Sequence, residues 1–406
     1  MPAPEIARVV IALSVAMALA VIGTHPRVIR WERRFGLTVL ATSGFPFLLL
    51  GILFRELGVL TRDVLTDLRP LFEFGLGWVG LTIGTHLDLR RFDRLPPAAA
   101  PVIALASLMP MLLAAIACSL TLAALGVLPG KGLIRDGLIL TACAAVSAPA
   151  NLDLLLRRWQ SSARLVLEVT RIDQLAALAV LAFVAIMFRP DRTVTLWDLP
   201  RSGWFLMTLG LGALLGIVIS LLVRKVEDEK EQLALLMGGV ALASGMAGYL
   251  ALAVPVVCAL AGAVLINFPM AERERVVTTL REVERPLYLL FLFILGAAWR
   301  PDEWQGWVLG LVFALSRGYG KILGVRAATW IDRELAEWKP LAVSLLPEST
   351  IAIVVLFSAT AIDGASANAP VRWAVNAVIV GSVLTEIAVQ WYQRRERRLI
   401  GEETHA

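Results

Sequence analysis

Two ionisable residues stand in otherwise apolar stretches and are the clearest candidates for chemistry. Asp173 lies in the apolar stretch 165–188, and Lys321 lies in the apolar stretch 305–325. A charge in such surroundings is costly and points to function by default. An acid that faces an amine can exchange what it carries, because an entering cation displaces a proton and a returning proton displaces the cation. The alternative is a permanent salt bridge that joins two helices.

Two prolines with polar neighbours predict interruptions in two further apolar stretches. Residues 147–151 read Ser-Ala-Pro-Ala-Asn, and residues 346–350 read Leu-Pro-Glu-Ser-Thr. Proline lacks a backbone donor and crowds the carbonyl one turn earlier, so each stretch should break or kink there. Neutral oxygens at such breaks suit hard cations such as Na+ and K+. The candidate neutral ligands are Ser147, Asn151 and Thr350.

The remaining charges in apolar stretches have simpler interpretations. Glu168 and Arg171 are three residues apart, so they can pair on one helix face. Arg317 is expected to be structural, because a guanidinium group does not give up its proton. Asp153 and Glu348 are accessory acids that an electrogenic exchange would require.

The composition excludes a soluble globular protein. Of 406 residues, 58% are hydrophobic and 17% are charged, and the mean hydropathy is +0.74. Soluble domains have about 45–50% apolar and about 25% charged residues. Stretches of about 20 apolar residues predict transmembrane helices. We predict an all-α integral membrane protein with thirteen spans: 5–24, 35–54, 71–89, 98–127, 135–156, 165–188, 203–223, 231–250, 252–268, 286–299, 305–325, 341–361 and 371–392.

The basic residues predict the orientation of these spans. The segments after odd-numbered spans, with the C-terminal tail, hold 24 of the 38 Lys and Arg residues. Basic segments stay in the cytoplasm, so the N-terminus is predicted outside and the C-terminus inside the cell membrane. Six spans, a linker span and six more then form two inverted repeats with crossed broken helices, an architecture of many secondary transporters. The charged segment 269–285 is interpreted as a solvated linker rather than an amphipathic helix.

The sequence predicts neither an enzyme nor a cofactor. The three histidines are scattered without the spacing of metal ligands, and no glycine-rich phosphate loop is present. Three cysteines in apolar stretches argue against a disulfide framework. The basic charge follows the topology pattern, so no nucleic-acid partner is expected, and the expected partners are a monovalent cation, the proton and the lipid bilayer.

Several motifs resemble the monovalent cation:proton antiporter superfamily, which includes Na+/H+ and K+/H+ antiporters. Residues 172–177, Ile-Asp-Gln-Leu-Ala-Ala, resemble the Ile-Asp-Asp-Leu motif of the family's sixth helix. Residues 316–324, which include Lys321, resemble its lysine-bearing helix. Further similar segments, in the family's order and covering most of the chain, are 71–75, 84–89, 248–267 and 286–299.

The resemblance implies one transmembrane transporter domain, residues 1–406, that works by elevator-like alternating access, usually as a homodimer. By position, spans 4–6 and 11–13, about 98–188 and 305–392, are the moving core. Spans 1–3 and 7–10, about 5–89 and 203–299, are the dimerisation part. Asp173 would bind the cation and the proton, with Gln174 beside it.

Two alignments of the sixth-span motif remain open. Matching Leu175 places Asp173 at the lysine-paired position and Gln174 at the position of the family's ion-binding carboxylate. The other alignment matches Asp173 to the family's ion-binding carboxylate. Asp173 is then the ion carrier, and Ile172 stands where the family has the residue before that carboxylate. Pro149 also falls near a position where the family has threonine or aspartate. These departures keep two alternatives to exchange: a non-transporting membrane sensor or scaffold, and an ion-coupled symporter for a small solute.

Overall fold

The computed structural model describes residues 45–92, 99–149, 160–189, 199–226, 228–269, 273–331, 338–363 and 369–403, besides the isolated Ser14. Helices make up 85% of the structure, and the described residues contain no strand. The helices, in chain order, are α1 Phe45–Glu56, α2 Arg62–Asp67, α3 Arg69–Gly84, α4 Leu89–Phe92, α5 Ala99–Ala124, α6 Lys131–Ala145, α7 Gln160–Met187, α8 Arg201–Val223, α9 Glu229–Tyr249, α10 Val254–Asn267, α11 Arg273–Ala298, α12 Trp304–Ile331, α13 Trp338–Ser344, α14 Thr350–Asp363 and α15 Ala369–Glu403.

Six of these helices are long and apolar enough to cross a membrane within the described part of the chain. They are α5, α7, α8, α9, α12 and α15, and shorter apolar helices such as α10 accompany them. The prediction of an all-α, multi-pass membrane protein is therefore confirmed. The count of thirteen spans stays a prediction, because the span 5–24, apart from Ser14, and the first half of the span 35–54 lie outside the described residues.

The chain divides into two compact units. Unit 1 comprises residues 1–90, 181–299 and 357–366, and unit 2 comprises residues 91–180, 300–356 and 367–406. Three helices, α4, α7 and α14, contribute to both units. Unit 2 contains Asp173, Lys321 and both predicted helix breaks.

Unit 1 is built on close helix contacts. Helix α10 packs against α3 and α8, and α11 packs against α1. Gly262 of α10 faces the Leu81 carbonyl of α3, and Gly84 of α3 faces the Ala259 carbonyl of α10. A Cβ at either glycine would overlap the facing carbonyl oxygen. The small residues therefore allow the two backbones to touch, as is common between membrane helices.

Unit 2 is organised around α12, which packs against both α5 and α15. One hydrophobic cluster joins α5, α7, α12 and α13, and it consists of Val102, Ile103, Ala106, Ala163, Val166, Val169, Val325, Ala328, Leu341, Ala342 and Leu345. By packing these helices together, the cluster sets the positions of the polar residues on α5, α7 and α12 that are described below.

Both predicted helix interruptions are present in unit 2. Helix α6 ends at Ala145 and the chain from Val146 to Pro149 is not helical. A second non-helical stretch separates α13 from Thr350, the first residue of α14. The Ala148 amide donates to the Pro347 carbonyl at 2.8 Å, so the two interruptions touch each other.

The interpretation of 269–285 as a solvated linker is wrong. Helix α11 begins at Arg273 and continues without interruption past Pro286 to Ala298. Its first half buries Val276 and Leu280, and the indole nitrogen of Trp78 donates to the Leu280 carbonyl at 3.0 Å. Fourteen residues, the length of the predicted span 286–299, reach only about 21 Å. The predicted span 286–299 is therefore only the second half of a longer helix, whose charged first half a hydropathy count overlooks.

Candidate functional site

The site is centred on the ion pair between Asp173 of α7 and Lys321 of α12. The Lys321 ammonium nitrogen lies 2.6 Å from Asp173 Oδ2, and both side chains are 0% exposed. Asp173 is the fourteenth residue of α7 and therefore lies about 20 Å from its start, near the middle of the helix. The lysine-bearing helix α12 continues beyond the predicted span 305–325 and ends at Ile331. The contact predicted between these two side chains is thus confirmed.

Two serine hydroxyls complete the hydrogen bonding of the Asp173 carboxylate. Ser147, in the interruption after α6, donates to Oδ2 at 2.7 Å. Ser107 of α5 donates to Oδ1 at 2.5 Å. Three donors from three different segments therefore converge on one carboxylate, and all are buried. Such charge-assisted hydrogen bonds are stronger than neutral ones and hold the carboxylate in a fixed orientation.

The two buried cations of α12 are held by backbone carbonyls of the interruptions. Lys321 donates to the Ala145 carbonyl at 2.9 Å in addition to Asp173. Arg317, one turn earlier, donates to the Val146 carbonyl at 2.6 Å, to the Pro347 carbonyl at 3.2 Å and to the Leu346 carbonyl. The interruptions free these carbonyls from helical bonding, so Arg317 ties the two broken segments together.

Glu348 lies at the same interruptions but outside the Asp173 cluster. Its Oε2 accepts a hydrogen bond from Ser382 of α15 at 2.5 Å, and its Oε1 is buried without a hydrogen-bond partner. Within the described residues, Glu348 forms no ion pair.

The other predicted residues fall in different places. Gln174 is buried beside Asp173, and its amide oxygen has no hydrogen-bond partner within the described part of the chain. Asn151 and Asp153 lie outside the described residues. Thr350 is the first residue of α14, and its side chain is not among those described.

Glu168 and Arg171 form the separate pair that their spacing predicts. Their side chains are 25% and 18% exposed, in contrast to the buried Asp173. The two charges compensate each other on one face of α7, and none of the hydrogen bonds described above for Asp173 involves them.

Ser107 was missed by the sequence interpretation. It is one of three hydroxyl residues in the long apolar helix α5 and belongs to no recognisable motif. The only signal was a lone polar residue in the apolar run 99–116. Its position depends on α12 lying against α5, which the sequence does not reveal. Gly320 and Gly324 allow this approach, because a Cβ on either residue would collide with the α5 backbone at Pro110 or Leu105.

Comparisons with known proteins bear on the fold. No protein-family model matches the chain, and no curated protein matches its sequence. The structure is similar to that of the sodium proton antiporter MjNhaP1 from Methanocaldococcus jannaschii, solved at pH 8. The match has a TM-score of 0.69 and 14% sequence identity, and it covers 96% of this chain and 97% of that chain. The chain therefore has the fold of a monovalent cation:proton antiporter.

Proposed function

We propose that the protein exchanges a monovalent cation, Na+ or K+, for protons across the membrane by alternating access. Asp173 binds the cation or the proton, and Lys321 competes with the cation for the same carboxylate. The observation that carries this proposal is the fully buried pair of Asp173 and Lys321, held by hydroxyls and a carbonyl beside two interrupted helices. The likeness to a sodium proton antiporter supports the same activity.

The ligands of the Lys321 ammonium are suited to a metal cation as well. The ammonium contacts Asp173 Oδ2 and the Ala145 carbonyl, which are both hard oxygen ligands. Ser147 Oγ lies 2.7 Å from Asp173 Oδ2, and the amide oxygen of the next residue in the chain, Gln174, is buried without a hydrogen-bond partner among the described residues. Hard cations bind to oxygen sets of this kind. A cation that takes the place of the ammonium therefore finds its ligands already assembled.

Charge balance relates cation entry to proton release. The pair of Asp173 and Lys321 has no net charge in the described state, and an added cation would leave one uncompensated positive charge in a buried site. Such a charge is costly away from water. The loss of one proton from the pair restores neutrality, and a returning proton expels the cation. One cation is then exchanged for one proton.

The test is cation-driven proton flux in proteoliposomes, with Na+, K+ and Li+ compared. Asp173→Asn should show no exchange above the background of empty liposomes. Glu168→Gln is the matched control, because it removes another acid from the same helix, and it should exchange at the wild-type rate. Exchange at the wild-type rate in Asp173→Asn would contradict the proposal.

One observation favours the alternative of a non-transporting sensor or scaffold. The Asp173 carboxylate already has three buried donors, and the neighbouring position carries the uncharged Gln174. In this alternative the ion pair is permanent and only joins two helices. Wild-type protein would then show no flux, and Gln174→Asp would gain it. A symporter would instead show uptake of a small solute that depends on the ion gradient.

The remaining elements of the proposal come from the resemblance. We propose that residues of about 98–188 and 305–392 move as a core and that about 5–89 and 203–299 form the dimerisation part of a homodimer. The predicted orientation, with the C-terminus in the cytoplasm, belongs to the same proposal, and no cofactor is invoked. Cysteine labelling of the two termini from either side of the membrane tests the orientation.

A further inference from the structure

The Ser107 hydroxyl lies within hydrogen-bonding distance of two acceptors. Its Oγ is 2.5 Å from Asp173 Oδ1 and 2.9 Å from the Ile103 carbonyl oxygen, one turn earlier on α5. A serine hydroxyl has one proton to donate and two lone pairs with which to accept. It can therefore donate to Asp173 or to Ile103, and the choice decides whether its proton or its lone pair faces the carboxylate.

Packing keeps this hydroxyl in place whichever acceptor it uses. Ser107 is buried, and the residues on either side of it along α5 are in tight contact with α12. Gly324 faces Leu105 and Ala106, and Gly320 faces Pro110. Since α12 carries Lys321, the distance between Ser107 and the ion pair is set by backbone contacts. The hydroxyl can rotate, but its oxygen cannot move far.

We propose that Ser107 is a cation ligand that rotates between two hydrogen bonds, an inference that rests on the proposed exchange function. Without a cation, Ser107 donates to Asp173 Oδ1. When a cation binds at the carboxylate, the hydroxyl donates to the Ile103 carbonyl and turns a lone pair towards the cation. Ser107 is thereby added to the oxygen ligands from Asp173, Ser147 and Ala145.

The Ile103 carbonyl makes this rotation inexpensive. Serine in a helix commonly donates to the carbonyl four residues earlier. A buried hydroxyl proton without an acceptor would destabilise the cation-bound state. Because the Ile103 carbonyl oxygen lies 2.9 Å from Ser107 Oγ, the hydroxyl proton has an acceptor both with and without a bound cation. A hydroxyl held at a fixed distance also favours a cation of one size, so Ser107 should influence selectivity as well as affinity.

The test measures exchange in proteoliposomes as a function of Na+, K+ and Li+ concentration. Ser107→Ala should raise the apparent KM for the preferred cation about tenfold, the effect of losing one contact to a charged group. Its maximal rate should stay within about twofold of the wild type, and its ratio of KM values for Na+ and K+ should change. Ser107→Thr keeps a hydroxyl and its backbone acceptor, so its KM should rise less than about threefold.

Two further variants keep the test decisive. Ser107→Cys preserves the volume of the side chain but offers a soft sulfur to a hard cation, so its KM should rise as in Ser107→Ala. Thr121→Ala is the matched control, because Thr121 of α5 donates to the Ala117 carbonyl at 2.8 Å and is not in the site. It should leave both KM and selectivity unchanged.

The inference and the proposed function fail in different ways. If Ser107→Ala or Ser107→Cys keeps the wild-type KM and selectivity while Asp173→Asn is inactive, the exchange function stands and the role of Ser107 is overturned. A lower maximal rate with unchanged KM in all three Ser107 variants would indicate a packing role and would overturn it too. Absence of exchange in the wild type would overturn both.

Discussion

The two units of the chain use similar apolar helices for different purposes. In unit 1, α3 and α10 meet at glycines, and ion pairs such as Arg69 with Glu73 are partly exposed. In unit 2, the pair of Asp173 and Lys321 is completely buried and held by two other segments, α5 and the end of α6 with the interruption that follows it. Among the described residues, fully buried ion pairing is therefore confined to unit 2. Close backbone packing alone provides a scaffold. The proposed exchange requires in addition a buried carboxylate, Asp173, whose ion-pair partner Lys321 can be replaced by a cation.

The largest expected effect on stability comes from removing one partner of the buried pair. Lys321→Met should lower the free energy of unfolding by about 3–5 kcal/mol, because it leaves the Asp173 carboxylate buried without a cation. Thermal unfolding of the detergent-solubilised protein measures the change. The double variant with Asp173→Asn removes the uncompensated charge and should recover most of the loss. Equal stability of the single and double variants would show that the pair is not electrostatically coupled.

A smaller effect is expected from a scaffold glycine of unit 1. Gly262→Ala should cost about 1–3 kcal/mol of unfolding free energy, because the added methyl group overlaps the Leu81 carbonyl oxygen. The apparent KM for the cation should remain at the wild-type value. Gly210→Ala, where a Cβ meets no atom within 4 Å, is the control and should not be destabilised. A changed KM in Gly262→Ala would contradict the division between scaffold and binding site.

The smallest effect is expected at the half-buried pair of α7. Glu168→Gln should change the free energy of unfolding by no more than about 1 kcal/mol, since partly exposed ion pairs contribute little. Comparison with Lys321→Met in the same unfolding assay shows whether burial decides the contribution of a charge. A loss as large as that of Lys321→Met would contradict this view.

The sequence was sufficient to predict features that depend on a recognisable local pattern of residues. A charge in an apolar stretch predicted Asp173 and Lys321, and a proline with polar neighbours predicted both interruptions. A contact between Asp173 and Lys321 was expected because an acid and an amine of opposite charge each stand in an otherwise apolar stretch. Ser147 was also predicted, because it lies beside Pro149 in such an interruption.

Features that depend on packing between helices could not be predicted. Ser107 has no motif, and its role depends on the glycines of α12 that draw α5 close. The first half of α11 looks like a solvated segment because its charges dominate the average, although Val276 and Leu280 are buried. Arg317 was expected to be structural, but its bonds to carbonyls of both interruptions emerge only from the fold.

The exchange proposal is tested most directly by proton release on cation binding. Purified protein in weakly buffered detergent solution should release about one proton for each Na+ or K+ that it binds, because a buried neutral pair must remain neutral. Asp173→Asn should release none, and Glu168→Gln should behave as the wild type. Cation binding without proton release, or the same release from Asp173→Asn, would contradict the account.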